Sequence, residues 1–239
     1  MQERDVFSEN AAGWWDPEGP FKMLHRMNPV RLAFIKRAVG QLSGRRILDY
    51  GCGGGLFSEL LCQNGANVTG VDTSAPTIAS AQSHAQQNGL DIDYIHGTID
   101  TLSERYFGKN AFDMVCAIEC LEHVEQPKRL VSSLCSALKP GGFAVFSTLN
   151  RSWYTYVMGI IAAEYLLGWV EPGTHAHNQF IKPSELVKMA RQSHLTLKDM
   201  AGMQFHLNDQ RFHLDDDVSL NYIVCFQKPI NISPVLECL

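Results

Sequence analysis

The stretch Ile47-Leu48-Asp49-Tyr50-Gly51-Cys52-Gly53-Gly54-Gly55 constrains this chain more than any other. Apolar residues run into a glycine-dense turn, and a helical pattern over Leu56–Gln63 follows. Glycine lets backbone approach a ligand closely, and the following helix start offers free N–H groups. A second apolar segment then ends at Asp72, 21 residues beyond Gly51. A carboxylate there can accept hydrogen bonds from both ribose hydroxyls of a nucleoside. Turn and acid together describe a nucleotide-type cofactor pocket in an α/β sheet.

The glycine spacing narrows the cofactor. A dinucleotide fingerprint reads G-x-G-x-x-G. Gly51 and Gly53 fit it, but Leu56 stands at the third glycine position. An acid, Asp49, opens the turn two residues before the first glycine. The arrangement D-x-G-C-G-x-G resembles motif I of the class I S-adenosylmethionine (SAM) methyltransferases. A nicotinamide-dependent oxidoreductase is the reading that Leu56 opposes.

Bulk properties exclude several classes. At 239 residues and 45% hydrophobic, the chain can bury a full core and is not a disordered segment. A net charge of −5 without a long basic run speaks against nucleic acid as a partner. Seven scattered cysteines, an odd number, argue against a disulfide framework. Cys116 and Cys120 lack the second pair that a structural zinc site needs. Reduced thiols fit the cytoplasm, and the polar start Met1-Gln2-Glu3-Arg4-Asp5 is no signal peptide.

Along the chain, residues 1–30 are rich in aromatics and turn formers, including Trp14, Trp15, Pro17, Pro20 and Pro29, and read as an irregular segment lying on the domain. A helix is expected from Val30 to about Leu42. Strands are expected at Arg46–Tyr50, Asn67–Val71, Ile92–His96, Phe112–Ile118 and Phe143–Thr148. Helices are expected after Ser74, with Ser74 as N-cap and Gly89 as stop, and from Pro127 to Leu138. Beyond residues 151–181, a helix from Pro183 and strands Leu195–Met200 and Leu220–Gln227 complete the pattern. Strands alternating with helices imply a parallel sheet covered on both faces. Cofactors then sit beyond the strands' C-terminal ends.

The fourth strand runs into Glu119-Cys120-Leu121-Glu122-His123. On a helical turn, Glu119, Glu122 and His123 share one face. Two carboxylates and an imidazole can hold Mg²⁺ or another divalent cation, or act directly in catalysis. The plainer alternative is a solvated acidic turn with His123 packed or capping. Ile118, just before, would face the cofactor or simply pack in the core.

These motifs occur together with Trp14-Trp15-Asp16, Phe21-Lys22-Met23-Leu24-His25-Arg26-Met27-Asn28-Pro29, Ser147-Thr148-Leu149-Asn150-Arg151, Ala163-Glu164-Tyr165, Gly173-Thr174-His175 and Phe180-Ile181-Lys182-Pro183. Over roughly residues 7–227 the chain resembles the ubiquinone-biosynthesis O-methyltransferases. The resemblance implies an α/β, Rossmann-like class I SAM methyltransferase fold: a seven-stranded, mostly parallel sheet with helices on both faces. It divides the chain into an N-terminal lid and helix (1–45), a SAM-binding core (46–150), a hydrophobic cap (151–182), the rest of the core (183–228) and a tail (229–239). It implies methyl transfer from SAM to ring hydroxyls of polyprenylated catechols or hydroquinols. The alternative is the same chemistry on another small hydroxylated or lipid acceptor. Arg31, Gly51, Asp72 and Ile118 fall on cofactor-binding positions. An arginine fork can also pair with the carboxylate of the cofactor's methionine end, although a helical Arg31 can equally be a solvated residue. By resemblance to eukaryotic members, Glu119, Glu122 and His123 hold a divalent cation. Without one, His123 is the first candidate base, ahead of His175 and His177. Complexes with other enzymes of the pathway and a position on the inner membrane face are further implications. No targeting extension is expected before the first motif.

Residues 153–170 read WYTYVMGIIAAEYLLGWV, with Glu164 as the one charge. Two glycines and that charge weaken a membrane-spanning reading. The segment would cap a substrate tunnel, fill core, or dip into the bilayer surface with its Trp and Tyr side chains at the headgroups.

Overall fold

A computed structural model of the chain describes residues 13–106, 109–152, 180–206 and 208–230. The hydrophobic segment 153–170, His175, His177 and most of the tail lie outside the described residues. In chain order the elements are helix α1 (Lys22–Val39), strand β1 (Arg46–Tyr50), α2 (Leu56–Gln63), β2 (Asn67–Asp72), α3 (Ala75–Gln87), β3 (Ile92–His96), α4 (Ile99–Tyr106) and β4 (Phe112–Ile118). A short 3-10 turn (Leu121–His123), α5 (Pro127–Ser136), β5 (Leu138–Leu149), α6 (Pro183–Gln192), β6 (Thr196–His206), β7 (Arg211–Asp215) and β8 (Asn221–Gln227) follow.

The strands form one eight-stranded sheet in the order β3-β2-β1-β4-β5-β8-β6-β7. β1 to β5 pair in parallel, and β8, β6 and β7 continue antiparallel. Side chains alternate between the two faces, as the pleat requires. Ile47, Met114, Cys116, Val145, Ile223 and Cys225 meet α1 and α2. Leu48, Val115, Ala117, Phe146, Val224 and Phe226 meet α4, α5 and α6. Cys52 and Tyr94 pack under α3 with Ile78, Ala81 and Ala85.

Several boundaries differ from the sequence reading. The sheet has eight strands among the described residues, not seven. The additional strand, β7, is a polar edge element that pairs Phe212 with Phe205 and Leu214 with Met203, so only two apolar pairs hold it. Helix α1 starts at Lys22 and carries Pro29 inside it. Proline removes one helical hydrogen bond, yet Met23, Met27 and Val30 pack against the core together with the helix's later turns. Tertiary burial outweighs the local break. Helix α4 is a further element that the sequence pattern does not mark. The Lys139-Pro140-Gly141-Gly142 run belongs to β5 as an irregularity, where pairing with β4 skips from Leu138 to Phe143. Lys228 is not loose: its Nζ donates to the Leu138 carbonyl at 2.7 Å.

The Ser74 cap is present, its side chain accepting from the Thr77 amide. The six cysteines among the described residues are all free thiols. No helix among the described residues is long and apolar enough to cross a membrane.

Candidate functional site

Strand order reverses at β1, which lies between β2 and β4. A reversal of strand order in a parallel sheet opens a ligand crevice beyond the C-terminal ends of the strands. The residues arriving there are Asp49–Gly55 from β1, Asp72 from β2, Ile118 and Glu119 from β4, and Ser147 and Thr148 from β5.

The turn after β1 is fixed by hydrogen bonds from Gly51 N and Cys52 N to the Val71 carbonyl, at 2.8 and 3.0 Å. Gly51 has φ +74°, and a Cβ there would lie 2.6 Å from Cys120 Sγ, so the turn needs glycine on two counts. Asp72 braces the turn from the next strand. Its Oδ2 accepts from Gly53 N at 2.9 Å and its Oδ1 from Ser74 N at 2.9 Å. A carboxylate oxygen can accept more than one hydrogen bond, so these contacts leave capacity for ribose hydroxyls. Asp49 is buried and accepts from Ser58 Oγ at 2.6 Å. Burial pushes its carboxyl up to about 6, while Ser58, Cys116 and Arg31 pull it down.

Arg31 is 1% exposed, which excludes a solvated helix position. Its Nη2 donates to Glu119 Oε1 at 2.7 Å and its Nη1 to Asn28 Oδ1 at 3.0 Å. Its Nε is buried with no hydrogen-bond partner among the described residues. A buried donor without a partner fits a missing acceptor, and the cofactor's carboxylate is one. The glycine turn, Asp72 and Arg31 therefore suit SAM. Ile118 is partly buried and packs against the cluster under α1 and α2.

Glu119 lies at φ +49°, a left-handed conformation for a residue with a side chain. The chain therefore does not continue as the α-helical turn expected from the i, i+3, i+4 spacing. The structure brings Glu119 and Glu122 together and leaves His123 exposed. Ser147 Oγ donates to Glu119 Oε1, and Thr148 Oγ1 donates to Glu122 Oε2 at 2.8 Å. Glu122 Oε1 is buried and has no hydrogen-bond partner among the described residues. Burial first, and then the neighbouring Glu119, push the Glu122 carboxyl well above the ordinary carboxylate range. No group of three His, Cys, Asp or Glu side chains among the described residues is arranged to hold a metal ion. The Glu119, Glu122 and His123 set thus does not fit a divalent cation in this conformation, because the imidazole does not join the two acids.

The N-terminal segment covers the turn. Trp14 is buried and stacks on Phe21 with centroids 3.9 Å apart, and its carbonyl faces the His25 ring at 2.9 Å. Its indole lies on Gly53 and Gly54, where added Cβ atoms would come within 2.5 and 2.3 Å of it. Trp15 stacks on His84 of α3, and His84 Nδ1 lies 2.8 Å from Glu59 Oε1. The tryptophan pair thus spans the turn and α3.

Ser147, Thr148 and Asn28 had no assigned role, although Ser147-Thr148 and Asn28 stand within motif blocks of the sequence. Their partners lie 26 and 28 residues away for the hydroxyls, so chain-local patterns do not disclose the pairing.

A family model described as a methyltransferase domain matches residues 23–198. The chain is 46% identical over 230 residues to the ubiquinone biosynthesis O-methyltransferase of Idiomarina loihiensis, covering 95% of this chain and 93% of that protein. It is 43% identical over 225 residues to the protein of the same name from Coxiella burnetii, covering 94% of each. Among solved structures, magnesium protoporphyrin IX methyltransferase from Synechocystis with bound SAH superposes with a TM-score of 0.62 at 20% identity, covering 87% of this chain and 85% of that one. This last likeness carries the fold alone.

Proposed function

The chain belongs to the ubiquinone biosynthesis O-methyltransferase family, and from that premise we propose that it moves a methyl group from SAM to a ring hydroxyl of a polyprenylated catechol or hydroquinol. The observation that carries the reading is what meets at the strand ends: the glycine turn and Asp72 after β1 and β2, and the Glu119 and Glu122 pair after β4. The first suits a nucleoside and the second suits a hydroxyl that must lose a proton.

SAM supplies an electrophilic methyl on sulfonium. The chain's residues do the rest. Asp72 holds the ribose, Arg31 pairs the methionine carboxylate, and Gly51 gives close backbone approach. The acceptor oxygen attacks in line, so donor and acceptor must be held in register. A phenol titrates near ~10, so a positioned acceptor for its proton raises the fraction that reacts. We assign that role to the carboxylate pair, with Ser147 and Thr148 fixing it. His123 faces solvent and is the weaker candidate. The route needs no step through a cation. Contact of residues 153–170 with a membrane surface would give a polyprenyl acceptor a dry path in, with the protein working at the cytoplasmic membrane face.

The test is turnover of short-chain catechol analogues with SAM, with and without chelator. Methylated product in both arms supports the carboxylate route. Product lost on chelation would transfer activation to a cation, and no catechol methylation in either arm would favour a different hydroxylated or lipid acceptor.

A further inference from the structure

Arg31 is the buried cation where three elements meet. It projects from α1, lies close enough to Asp49 at the end of β1 to lower its carboxyl, and pairs with Glu119 after β4. Acids crowd this cation: Asp49 and Asp72 share its field, and Glu122 lies against Glu119. Glu119 is the carboxylate that currently neutralises Arg31, and its side chain keeps 22% of its surface open to solvent while that of Arg31 keeps 1%. It is therefore the more solvated member of the pair.

Resting on the cofactor reading above, we propose that Glu119 and the carboxylate of the cofactor's methionine end are alternative partners of Arg31. A second carboxylate on one desolvated guanidinium competes with Glu119 for its donors and its charge. Glu119 is the member that can leave. It is partly solvated, and Ser147 Oγ remains as its hydrogen-bond donor. Cofactor binding then unpins Glu119 toward the crevice. The acceptor hydroxyl meets a released carboxylate only after SAM is in place, so cofactor precedes acceptor. The left-handed backbone at Glu119 is tied by its amide to the Ser147 carbonyl at 2.9 Å, so only the side chain has to move.

The test compares two ligands on the full chain by calorimetry. S-adenosylhomocysteine carries the competing carboxylate; 5′-methylthioadenosine keeps the nucleoside and lacks the amino acid end. In Glu119→Gln the competitor loses its charge. Expected is a gain in S-adenosylhomocysteine affinity of roughly 5-fold or more, the lower range of coupling between sites, with 5′-methylthioadenosine unchanged. Glu119→Asp, too short to keep the bridge, should move the same way and serves if the glutamine variant does not fold. Unchanged or weaker S-adenosylhomocysteine binding in both variants overturns the exchange, as does an equal gain for both ligands, which marks a general change of the pocket. Failure of the wild type to bind either ligand is a separate result: it removes the cofactor reading itself.

Discussion

The indole of Trp14 rests directly on the backbone of Gly54, so that a single methyl group at Gly54 would sit 2.3 Å from the ring. Gly54 has no left-handed φ, unlike its neighbours Gly53 and Gly55. Its glycine is required by the tryptophan and not by the turn. The N-terminal segment and the glycine turn are consequently one packed unit.

This relationship predicts a non-additive pair. Gly54→Ala should destabilise the protein by about 1–3 kcal/mol, the range for overpacking. In a Trp14→Ala background the same change should cost close to nothing, because its obstacle is gone. Denaturant unfolding of the two single variants and the double variant measures the coupling. Additive costs would place the indole elsewhere in solution.

Asp72 should control cofactor affinity without controlling the fold. Asp72→Ala removes the partner of both Gly53 N and Ser74 N as well as the ribose acceptor. S-adenosylhomocysteine affinity should drop by at least about tenfold, equal to about 1.4 kcal/mol. A melting temperature within a few degrees of wild type would separate the binding loss from unfolding. Full affinity in a folded variant contradicts the ribose contact.

Replacing Glu122 by Gln should lower kcat far more than it changes S-adenosylhomocysteine affinity. Glu122 pairs with Glu119 after β4, and its raised pKa strengthens it as a proton acceptor. Glutamine copies the shape but cannot exchange a proton. Steady-state kinetics with a catechol acceptor, alongside calorimetry, give the two numbers. An unchanged kcat removes Glu122 from the reaction.

Thr148 should act through Glu122. Thr148→Val deletes the hydroxyl that donates at 2.8 Å to a buried carboxyl already lacking a partner on its other oxygen. The expected loss is about 1–3 kcal/mol of stability, with Thr148→Ser restoring most of it because serine keeps the donor. Equal stability of the valine and serine variants would mean that packing, not the hydroxyl, matters at this position.

Asp49 makes stability fall as pH rises. Its folded carboxyl titrates near 6, above the ordinary 3.8, so the folded state binds this proton more tightly than the unfolded state does. Its contribution is complete below pH 3.8 and is lost as pH climbs through 6, by about 3 kcal/mol. Asp49→Asn should therefore gain on the wild type between pH 4 and 6 and hold a constant difference above that. Melting temperatures of both proteins across this range test it; a difference independent of pH refutes it.

The sequence by itself determined the elements whose causes are local. Short apolar segments set β1 to β4, glycine and Asp49 marked the turn into α2, and Ser74 marked the start of α3. It also placed Asp72 beside the turn, because strand and helix lengths fix that distance within one βαβ unit. The tertiary structure decided what depends on which distant side chains meet. Arg31 joins Glu119 across 88 residues, and the sheet order brings Ser147 and Thr148 to the two acids. Spacing suggested three convergent ligands at Glu119, Glu122 and His123, but a left-handed residue at Glu119 turns His123 outward. Helix α1 passes through Pro29 because burial of the whole helix face outweighs one lost hydrogen bond. Local pattern reports what a segment prefers, whereas partners and exposure are set by packing energies that sum over the entire core.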